Sequence, residues 1–320
     1  MFCDWLTIHE EHADSHASPC NVRLLADYAT GEVIERNVAW KELSTGNGAK
    51  CRVWSDGNRV SYDGNPSREG KLDNLFGVRL EDALRTVNQR MESAGLPAFS
   101  SEAVISRVDM TANVEAGEHQ AEVLRWIQCR ELGQREKVLY GLNTVFGPDS
   151  GYRTFRVYDK AKEIRDRKLR GTRGEERDYL EKLAAHCEAR GLIRVESEMR
   201  SAFLRRKDLR RVSGVDHGKL AAELLKEMEF MKEIRVEDYA DIPAPYIQTL
   251  TMWLLGIDPR SKMSATTFYK HRRELKKYGY DVAARPAHQM KPREMVIRLE
   301  LAEKPDWYDD ESNLPLKAVE

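Results

Sequence analysis

Residue types that suit phosphodiester chemistry alternate along the segment RTFRVYDK at 153–160. Side chains on a strand point to opposite faces in turn, so Phe155 and Val157 predict a buried face and Arg156, Tyr158 and Lys160 a polar one. A tyrosine hydroxyl needs activation because its ordinary pKa is about 10. The two cations could stabilise a phenolate or hold a phosphate oxygen, which predicts Tyr158 and Lys160 as catalytic residues. From this pattern alone, a solvated sheet face explains the polar residues at least as well.

Two further strand-like segments carry carboxylates on a polar face. Asp109 follows Arg107 at i+2 in ISRVDMTANV at 105–114, and Glu196 follows Arg194 at i+2 in LIRVESEMR at 192–200. Mg²⁺ and Mn²⁺ take oxygen ligands and need few protein carboxylates beside a phosphate, so Asp109 and Glu196 are the predicted metal ligands. A structural ion pair with an arginine is the alternative for each. The predicted DNA contacts on these strands are Arg107, Arg156 and Arg194.

Composition and missing motifs exclude several classes of protein. The 320 residues are 41% hydrophobic and 33% charged, with a net charge of -1, enough for about two domains with a buried core. No run of about 18 apolar residues occurs. The start MFCDWLTIHEEH lacks the regions of a signal peptide, so we expect a cytoplasmic protein without membrane association. Neither a GxxxxGKS or GxxxxGKT loop nor a GxGxxG motif is present, so nucleotide use is unsupported.

The order of predicted elements indicates an α+β fold. Strand composition and hairpin turns mark most of the first sixty residues. A strand at 103–114, a helix at 117–132, a hairpin of 138–146 and 152–160, a helix at 174–190 and a strand at 192–200 follow. Such an order builds an antiparallel sheet with helices packed on one face. We therefore predict a catalytic domain at 1–213.

The remaining residues, 214–320, predict a smaller helical domain. Helices are expected at 217–233, 243–256 and 265–278, and the strand-like segment at 295–303 behind the last pair fits a winged helix-turn-helix. The helix TTFYKHRRELKKYGYD has an apolar stripe and a basic surface that suits phosphates or a DNA groove. A merely solvated basic helix is the alternative. The predicted DNA contacts here are Lys270, Arg272, Arg273 and Lys276.

Several ordered motifs give the chain a family resemblance. It resembles the gene II/gene X family of replication initiators of filamentous phages and related plasmids. The motifs are YDGNPS at 62–67, NLFG at 74–77, ISRVDMT at 105–111, YRTFRVYDKAKEI at 152–164 and LIRVESEMR at 192–200. The resemblance implies a rolling-circle initiator fold, with double-stranded and single-stranded origin DNA as the partner and a host helicase and polymerase as further candidates.

The resemblance also implies a reaction. The tyrosine of the strand that matches RVYDK is the nucleophile of that family, a role that falls on Tyr158. The implied enzyme nicks one strand at the double-stranded origin, forms a 5′-phosphotyrosine and later rejoins the displaced strand in the bacterial host. Better-known rolling-circle initiators use paired histidines as metal ligands, and no such pair occurs here, which leaves the metal to carboxylates. The main alternative is a non-catalytic DNA-binding regulator. A nuclease that uses metal-activated water is a third reading.

Overall fold

The computed structural model describes residues 1–46, 49–237, 242–284 and 294–309. They form two compact units. One comprises Met1–Lys232 and the returning segment from Leu299 onwards, and the other comprises Glu233–Arg298.

In the first unit, ten of the described strands form one antiparallel sheet. Its order is β4-β5-β6-β1-β7-β11-β10-β9-β8, with β14 paired to β7. A separate ribbon consists of β2 and β3, and a two-stranded sheet in the second unit consists of β12 and β13. The strands are β1 Phe2–Glu11, β2 Val22–Ala26, β3 Val33–Val38, β4 Lys41–Gly46, β5 Ala49–Ser55, β6 Arg59–Gly64, β7 Val104–Glu115, β8 Lys137–Tyr140, β9 Asn143–Phe146, β10 Arg153–Asp159, β11 Leu192–Arg200, β12 Ile234–Glu237, β13 Glu294–Ile297 and β14 Glu300–Leu301.

Eight α-helices lie in the described part of the chain, and local sequence explains their ends. Gly191, directly after the predicted helix at 174–190, ends the fourth helix with φ of +57°, and a Cβ atom there would lie 2.0 Å from the carbonyl oxygen of Gly117. Only glycine meets both conditions without strain. The helices are α1 Leu80–Ser93, α2 Gln120–Gln128, α3 Lys160–Glu163, α4 Gly174–Ala189, α5 Ser201–Arg206, α6 His217–Met228, α7 Ala244–Leu254 and α8 Ala265–Lys276.

The large sheet has one apolar and one polar face, as the alternating strands predict. The apolar face carries residues such as Val108, Phe155 and Val195, all fully buried. Helices α1, α2, α5 and α6 contact the central strands β1, β7, β10 and β11. The α+β fold with an antiparallel sheet is therefore confirmed. One refinement is that α3 and α4 pack on the opposite face, where Leu192 joins their apolar cluster.

The returning C-terminal segment is anchored in the first unit by a buried carboxylate. Asp73 is fully buried and accepts hydrogen bonds from Tyr308 Oη at 2.8 Å, from Tyr179 Oη and from the backbone N–H of Leu75. Tyr308 Oη also accepts a hydrogen bond from the backbone N–H of Phe76 at 3.1 Å. This segment therefore holds the loop that contains the NLFG motif.

Removing the Tyr308 hydroxyl tests this anchor. We expect Tyr308→Phe to lower the free energy of unfolding by about 1.5–3 kcal/mol, because a buried carboxylate loses a hydrogen-bond donor that nothing replaces. Urea titration followed by circular dichroism measures the change. Tyr28→Phe, at a fully exposed position, is the matched control and should stay within about 0.5 kcal/mol of the parent. Equal stability of Tyr308→Phe and the parent would show that the anchor contributes nothing.

The second unit is built on α7 and α8. Leu250 and Trp253 of α7 pack with Phe268 and Leu275 of α8 in a small core. Strands β12 and β13 pair antiparallel from Ile234 opposite Ile297. The helix pair is as predicted, and the winged helix-turn-helix stays a prediction.

The structure changes three details of the predicted organisation. The border after residue 213 needs correction, because α6 belongs to the first unit, where Glu227 bonds Ser197 and Arg153. The predicted strand at 138–146 is two strands, β8 and β9, separated by a turn at Gly141 with φ of +63°. The prediction for 295–303 falls on β13 and β14, which lie in different units.

Candidate active site

Tyr158 lies on the polar face of the sheet, on β10, while Phe155 and Val157 of the same strand are fully buried behind it. The alternation predicted for this strand is therefore confirmed. A cleft of about 660 Å³ opens on the polar face. The residues that line it include Trp5, Arg107, Asp109, Arg156, Tyr158, Glu163 and Glu196.

The Tyr158 hydroxyl donates a hydrogen bond to a carboxylate rather than meeting a cation. Its Oη lies 2.6 Å from Glu196 Oε1. Burial, together with the negative charge of Glu196, raises the pKa of Tyr158 well above its ordinary value, although Arg194 opposes the shift. The phenol is therefore protonated at neutral pH, and the acceptor already in place for its proton is Glu196. This arrangement replaces the predicted stabilisation of a phenolate by Arg156 and Lys160.

Arginines surround a second buried carboxylate, Glu198. Arg156 Nη2 donates to Glu198 Oε2 at 2.8 Å, Arg200 Nε donates to Oε1 at 2.5 Å, and Arg107 Nη2 lies 3.4 Å from Oε2. Burial acts to raise the pKa of Glu198, but these guanidinium groups hold that pKa below its ordinary value. Arg107 and Arg156 remain about one-third exposed in the cleft, so each can also reach a phosphate.

Asp109 is held by Arg107 through both carboxylate oxygens. The distances are 2.8 Å from Nε to Oδ1 and 2.6 Å from Nη2 to Oδ2. Burial raises the pKa of Asp109 to about 7, with Glu198 and Glu196 adding to the shift and Arg107 opposing it. A cation close to these carboxylates would lower that pKa again.

The donors around Asp109 and Glu196 suit a hard divalent cation. Glu196 lies directly opposite Thr111 on the neighbouring strand, which makes Asp109 its diagonal neighbour. The buried hydroxyl Oγ1 of Thr111 has no hydrogen-bond partner among the described residues. The described residues contain no cluster of three or more His, Cys, Asp or Glu side chains that could hold a metal. Two carboxylates with a hydroxyl at an adjoining register position are still compatible with Mg²⁺ or Mn²⁺, which commonly complete their shell with water and phosphate.

Lys160 does not share the strand with Tyr158, which corrects its predicted placement. It begins α3, because the Asp159 side chain caps that helix by accepting from the backbone N–H of Lys162 at 3.0 Å. The Lys160 ammonium is almost fully buried and donates to Glu163 Oε2 at 2.8 Å and to Asn74 Oδ1 at 3.4 Å. It therefore orients Glu163 on the cleft wall rather than facing the cleft itself.

Arg194 is also placed differently from its prediction as a DNA contact. It is fully buried, donates through Nε to Asn113 Oδ1 at 3.0 Å and through Nη2 to the backbone carbonyl of Leu75 at 2.9 Å. Its guanidinium also lies over the Phe2 ring, 5.3 Å from the ring centroid. Arg194 therefore stabilises the fold and has no exposed surface that could contact DNA.

The burial of Arg194 leads to a stability prediction. We expect Arg194→Met to lower the free energy of unfolding by about 3–5 kcal/mol, because buried carbonyl acceptors and nearby carboxylates lose their cationic donor. Chemical denaturation measures this change, with the exposed Arg206→Met as the control. A variant with parental stability but weaker DNA binding would restore Arg194 as a DNA contact.

The four basic residues predicted on α8 differ in what they contact. Arg272 donates to both carboxylate oxygens of Asp281, at 2.6 and 2.9 Å, and Lys276 lies 3.0 Å from the same carboxylate. Lys270 and Arg273 are exposed, and Arg273 makes a weaker contact of 3.5 Å with Glu274. Lys270 and Arg273 are thus the better placed pair for a phosphate contact.

Several polar residues beside the cleft were missed by reasoning from single strands. Asp4 accepts hydrogen bonds from Asn65 and Asn74, each at 2.9 Å, and Asp63 accepts from Trp5 and Thr7. Asp63, Asn65 and Asn74 belong to the motifs YDGNPS and NLFG, so their positions were visible as motif members without an assigned role.

Comparison with known proteins places this chain in a family. Residues 1–218 match the family described as the N-terminal part of the replication-associated gene II protein. This chain belongs to that family. The replication-associated gene II protein of Escherichia phage If1 is 23% identical over 316 residues, a match that covers 81% of this chain and 97% of that protein. The resemblance to filamentous phage replication initiators is therefore confirmed. Every cleft residue named above lies within the part of the chain that matches the gene II protein family.

None of the described helices is long and apolar enough to cross a membrane.

Proposed function

We propose that this chain is an origin-specific nicking-closing endonuclease that starts rolling-circle replication through Tyr158. The observation that carries the proposal is the hydrogen bond of 2.6 Å from the Tyr158 hydroxyl to Glu196, within a cleft that also presents Arg107 and Arg156. A nucleophile next to a proton acceptor, with cations for a phosphate, is the arrangement that phosphoryl transfer to a tyrosine needs. Membership of the gene II protein family supports a role at a replication origin.

The proposed reaction is a transesterification. Tyr158 Oη attacks the scissile phosphorus while its proton passes to Glu196 Oε1, and a bond between the tyrosine oxygen and phosphorus forms. The bond from phosphorus to the 3′-oxygen breaks, and that oxygen takes a proton from water. The products are a 5′-phosphotyrosine and a free 3′-OH that can prime synthesis. Since the protein-DNA link keeps the phosphodiester bond energy, attack by a 3′-OH rejoins the strand without ATP.

The other cleft residues support this step. Arg107 and Arg156 are proposed to contact the scissile phosphate, because both are partly exposed there. Asp109 and Glu196 are proposed to hold Mg²⁺ or Mn²⁺, since among the described residues Glu196 is hydrogen-bonded through Oε1 alone. The bound cation would neutralise phosphate charge. Lys160 is proposed as a positioning residue that fixes Glu163.

The second unit is proposed to contact origin DNA through α8, chiefly with the exposed side chains of Lys270 and Arg273, while Arg272 and Lys276 are tied to Asp281. A host helicase and polymerase are the proposed protein partners, and the host cytoplasm is the proposed location.

An origin-nicking assay tests the proposal. The full chain is incubated with supercoiled DNA that carries the cognate origin and with Mg²⁺ or Mn²⁺. We expect nicked circles, protein attached to the 5′ end after denaturation, and no reaction in excess chelator. The same DNA without the origin is the control.

Two other results would contradict the proposal in different ways. Origin binding without any nicking would favour the non-catalytic regulator. Nicked DNA with a free 5′-phosphate and no attached protein would favour a nuclease that uses metal-activated water.

A further inference from the structure

Three of the six tryptophans of this chain lie on or beside the polar face of the large sheet, and one of them lines the cleft. Trp5 is on β1 and lines the cleft, Trp54 is on β5, and Trp40 immediately precedes β4. Trp5 and Trp54 are half-buried, and Trp40 is 43% exposed. Large indole rings left partly open on one sheet face are a feature that packing of the core does not explain.

The remaining tryptophans serve the fold. Trp126 stacks on Phe230 with 6.1 Å between ring centroids, and Trp307 lies 6.3 Å from the Tyr308 ring. Trp253 is buried in the core of the second unit. Trp126 and Trp307 are half-buried like Trp5 and Trp54, so the three indoles of the large sheet differ from the others in their place on its polar face and not in exposure.

Two of these indoles have an arginine over the ring. The Arg107 guanidinium lies over the Trp5 ring at 5.2 Å, and the Arg52 guanidinium lies over the Trp40 ring at 5.5 Å. The buried carboxylate of Asp63 links the two pairs, since it accepts from Trp5 Nε1 at 2.9 Å and from Arg52 Nε at 3.1 Å. Arg52 remains exposed and Arg59, on the next strand, is half-exposed.

Strand register puts these groups in one line that ends at Arg107 on the wall of the cleft. Arg52 on β5 is opposite Asp63 on β6, Asp63 is opposite Thr7 on β1, and Thr7 is opposite Arg107 on β7. Arg107 is opposite Arg200 on β11, whereas Tyr158 is opposite Arg194, six residues away along β11, so Tyr158 is offset from this line in the strand direction. From β5 to β10 the sheet order gives five steps between neighbouring strands. At about 4.8 Å per step, that distance is roughly 24 Å, enough for several nucleotides.

We propose that this surface binds single-stranded DNA and leads it to the cleft that contains Tyr158. We name it the Trp-Arg row and define it as Trp5, Trp40, Trp54, Arg52, Arg59 and Arg107. Indole rings stack on unpaired bases and guanidinium groups contact the phosphates between them, which is how proteins hold single strands without reading their sequence. A paired duplex shields the faces of its bases, so these partly exposed indoles favour an unpaired strand. The inference rests on the proposed function, because it names the surface that holds single-stranded origin DNA beside the nicking cleft.

A binding experiment on the full chain tests the Trp-Arg row. The parent for this test carries Tyr158→Phe, so that no cleavage intervenes, and a labelled 15-nucleotide oligo(dT) is titrated by fluorescence anisotropy. We expect Trp40→Leu to weaken binding about tenfold, the loss of one stacked base, while Trp40→Phe keeps most of the affinity. We expect Arg52→Gln to reduce the slope of log K against log salt by about 0.7, the loss of one phosphate contact.

Arg130→Gln is the matched control. Arg130 lies over the Trp126 ring at 4.0 Å, the same kind of pair as Arg52 and Trp40, but Trp126 is on α2, which packs on the other side of the sheet. The Arg130→Gln variant should bind oligo(dT) like the parent. If Trp40→Leu and Arg52→Gln also bind like the parent, the Trp-Arg row is not a binding surface.

If Trp40→Leu and Arg52→Gln lose as much affinity for duplex DNA as for oligo(dT), the preference for a single strand is wrong. If Trp40→Leu does not fold, Arg52→Gln still decides the outcome through the salt slope. The proposed nicking activity is measured in a separate assay with Tyr158 intact, so the two proposals can fail independently.

Discussion

Tyr158→Phe is expected to abolish nicking of supercoiled origin DNA and the covalent attachment of protein to its 5′ end. The substitution removes only the hydroxyl that donates to Glu196 at 2.6 Å and leaves the ring that lines the cleft. Without an Oη atom no phosphotyrosine can form, so the loss should reach the detection limit of a denaturing gel. DNA binding should change little, because Arg107 and Arg156 remain.

Tyr152→Phe is the control for this prediction. Tyr152 precedes the same strand, but its ring packs against Phe203 with 5.3 Å between centroids, and it does not line the cleft. It should nick like the parent. If Tyr158→Phe also nicks like the parent, Tyr158 is not the nucleophile.

Glu196→Gln is expected to slow nicking by about 10²–10⁴-fold, the usual contribution of a positioned general base. A glutamine oxygen can still accept the hydrogen bond from Tyr158, but an amide cannot take up the proton. Because burial raises the pKa of Tyr158 well above its ordinary value, water is a poor substitute for Glu196. Single-turnover rates with pre-bound origin DNA measure the effect separately from DNA affinity.

Metal titration separates the two roles proposed for Glu196. If high Mn²⁺ restores the nicking rate of Glu196→Gln, Glu196 acts only as a metal ligand. If the rate stays low at saturating metal, the result supports Glu196 as the general base. Glu115→Gln is the matched control, because Glu115 is on β7, pairs with Arg190 at 3.2 Å and lies outside the cleft. An unchanged single-turnover rate in Glu196→Gln would refute both roles.

The strands and their faces follow from local sequence. The period of two at 153–159 and 192–200 sorts Phe155 and Val195 to the core and Tyr158 and Glu196 to the polar face, because successive side chains of any strand alternate. The helix end at Gly191 is equally local, since the residue type alone signals a left-handed conformation. The start of α3 also has a local cause, because Asp159 is a good N-cap residue directly before KAKEI.

Which polar residues meet depends on the assembled sheet. Tyr158 lies directly opposite Arg194, yet it bonds to the diagonal neighbour Glu196, and Arg156 opposite Glu196 likewise bonds to Glu198. Such pairs depend on strand register and on the direction in which each side chain leans, which no single strand encodes.

Burial likewise depends on parts of the chain that are distant in sequence. Lys160 and Arg194 look like neighbours of Tyr158 along their strands, but Asn74 and the backbone carbonyls of its loop enclose them. That loop is itself held by Tyr308, from the segment that returns after the second unit. Alternation within a strand assigns a side chain to a face, whereas the chain that covers that face comes from elsewhere, so exposure follows only from the complete fold.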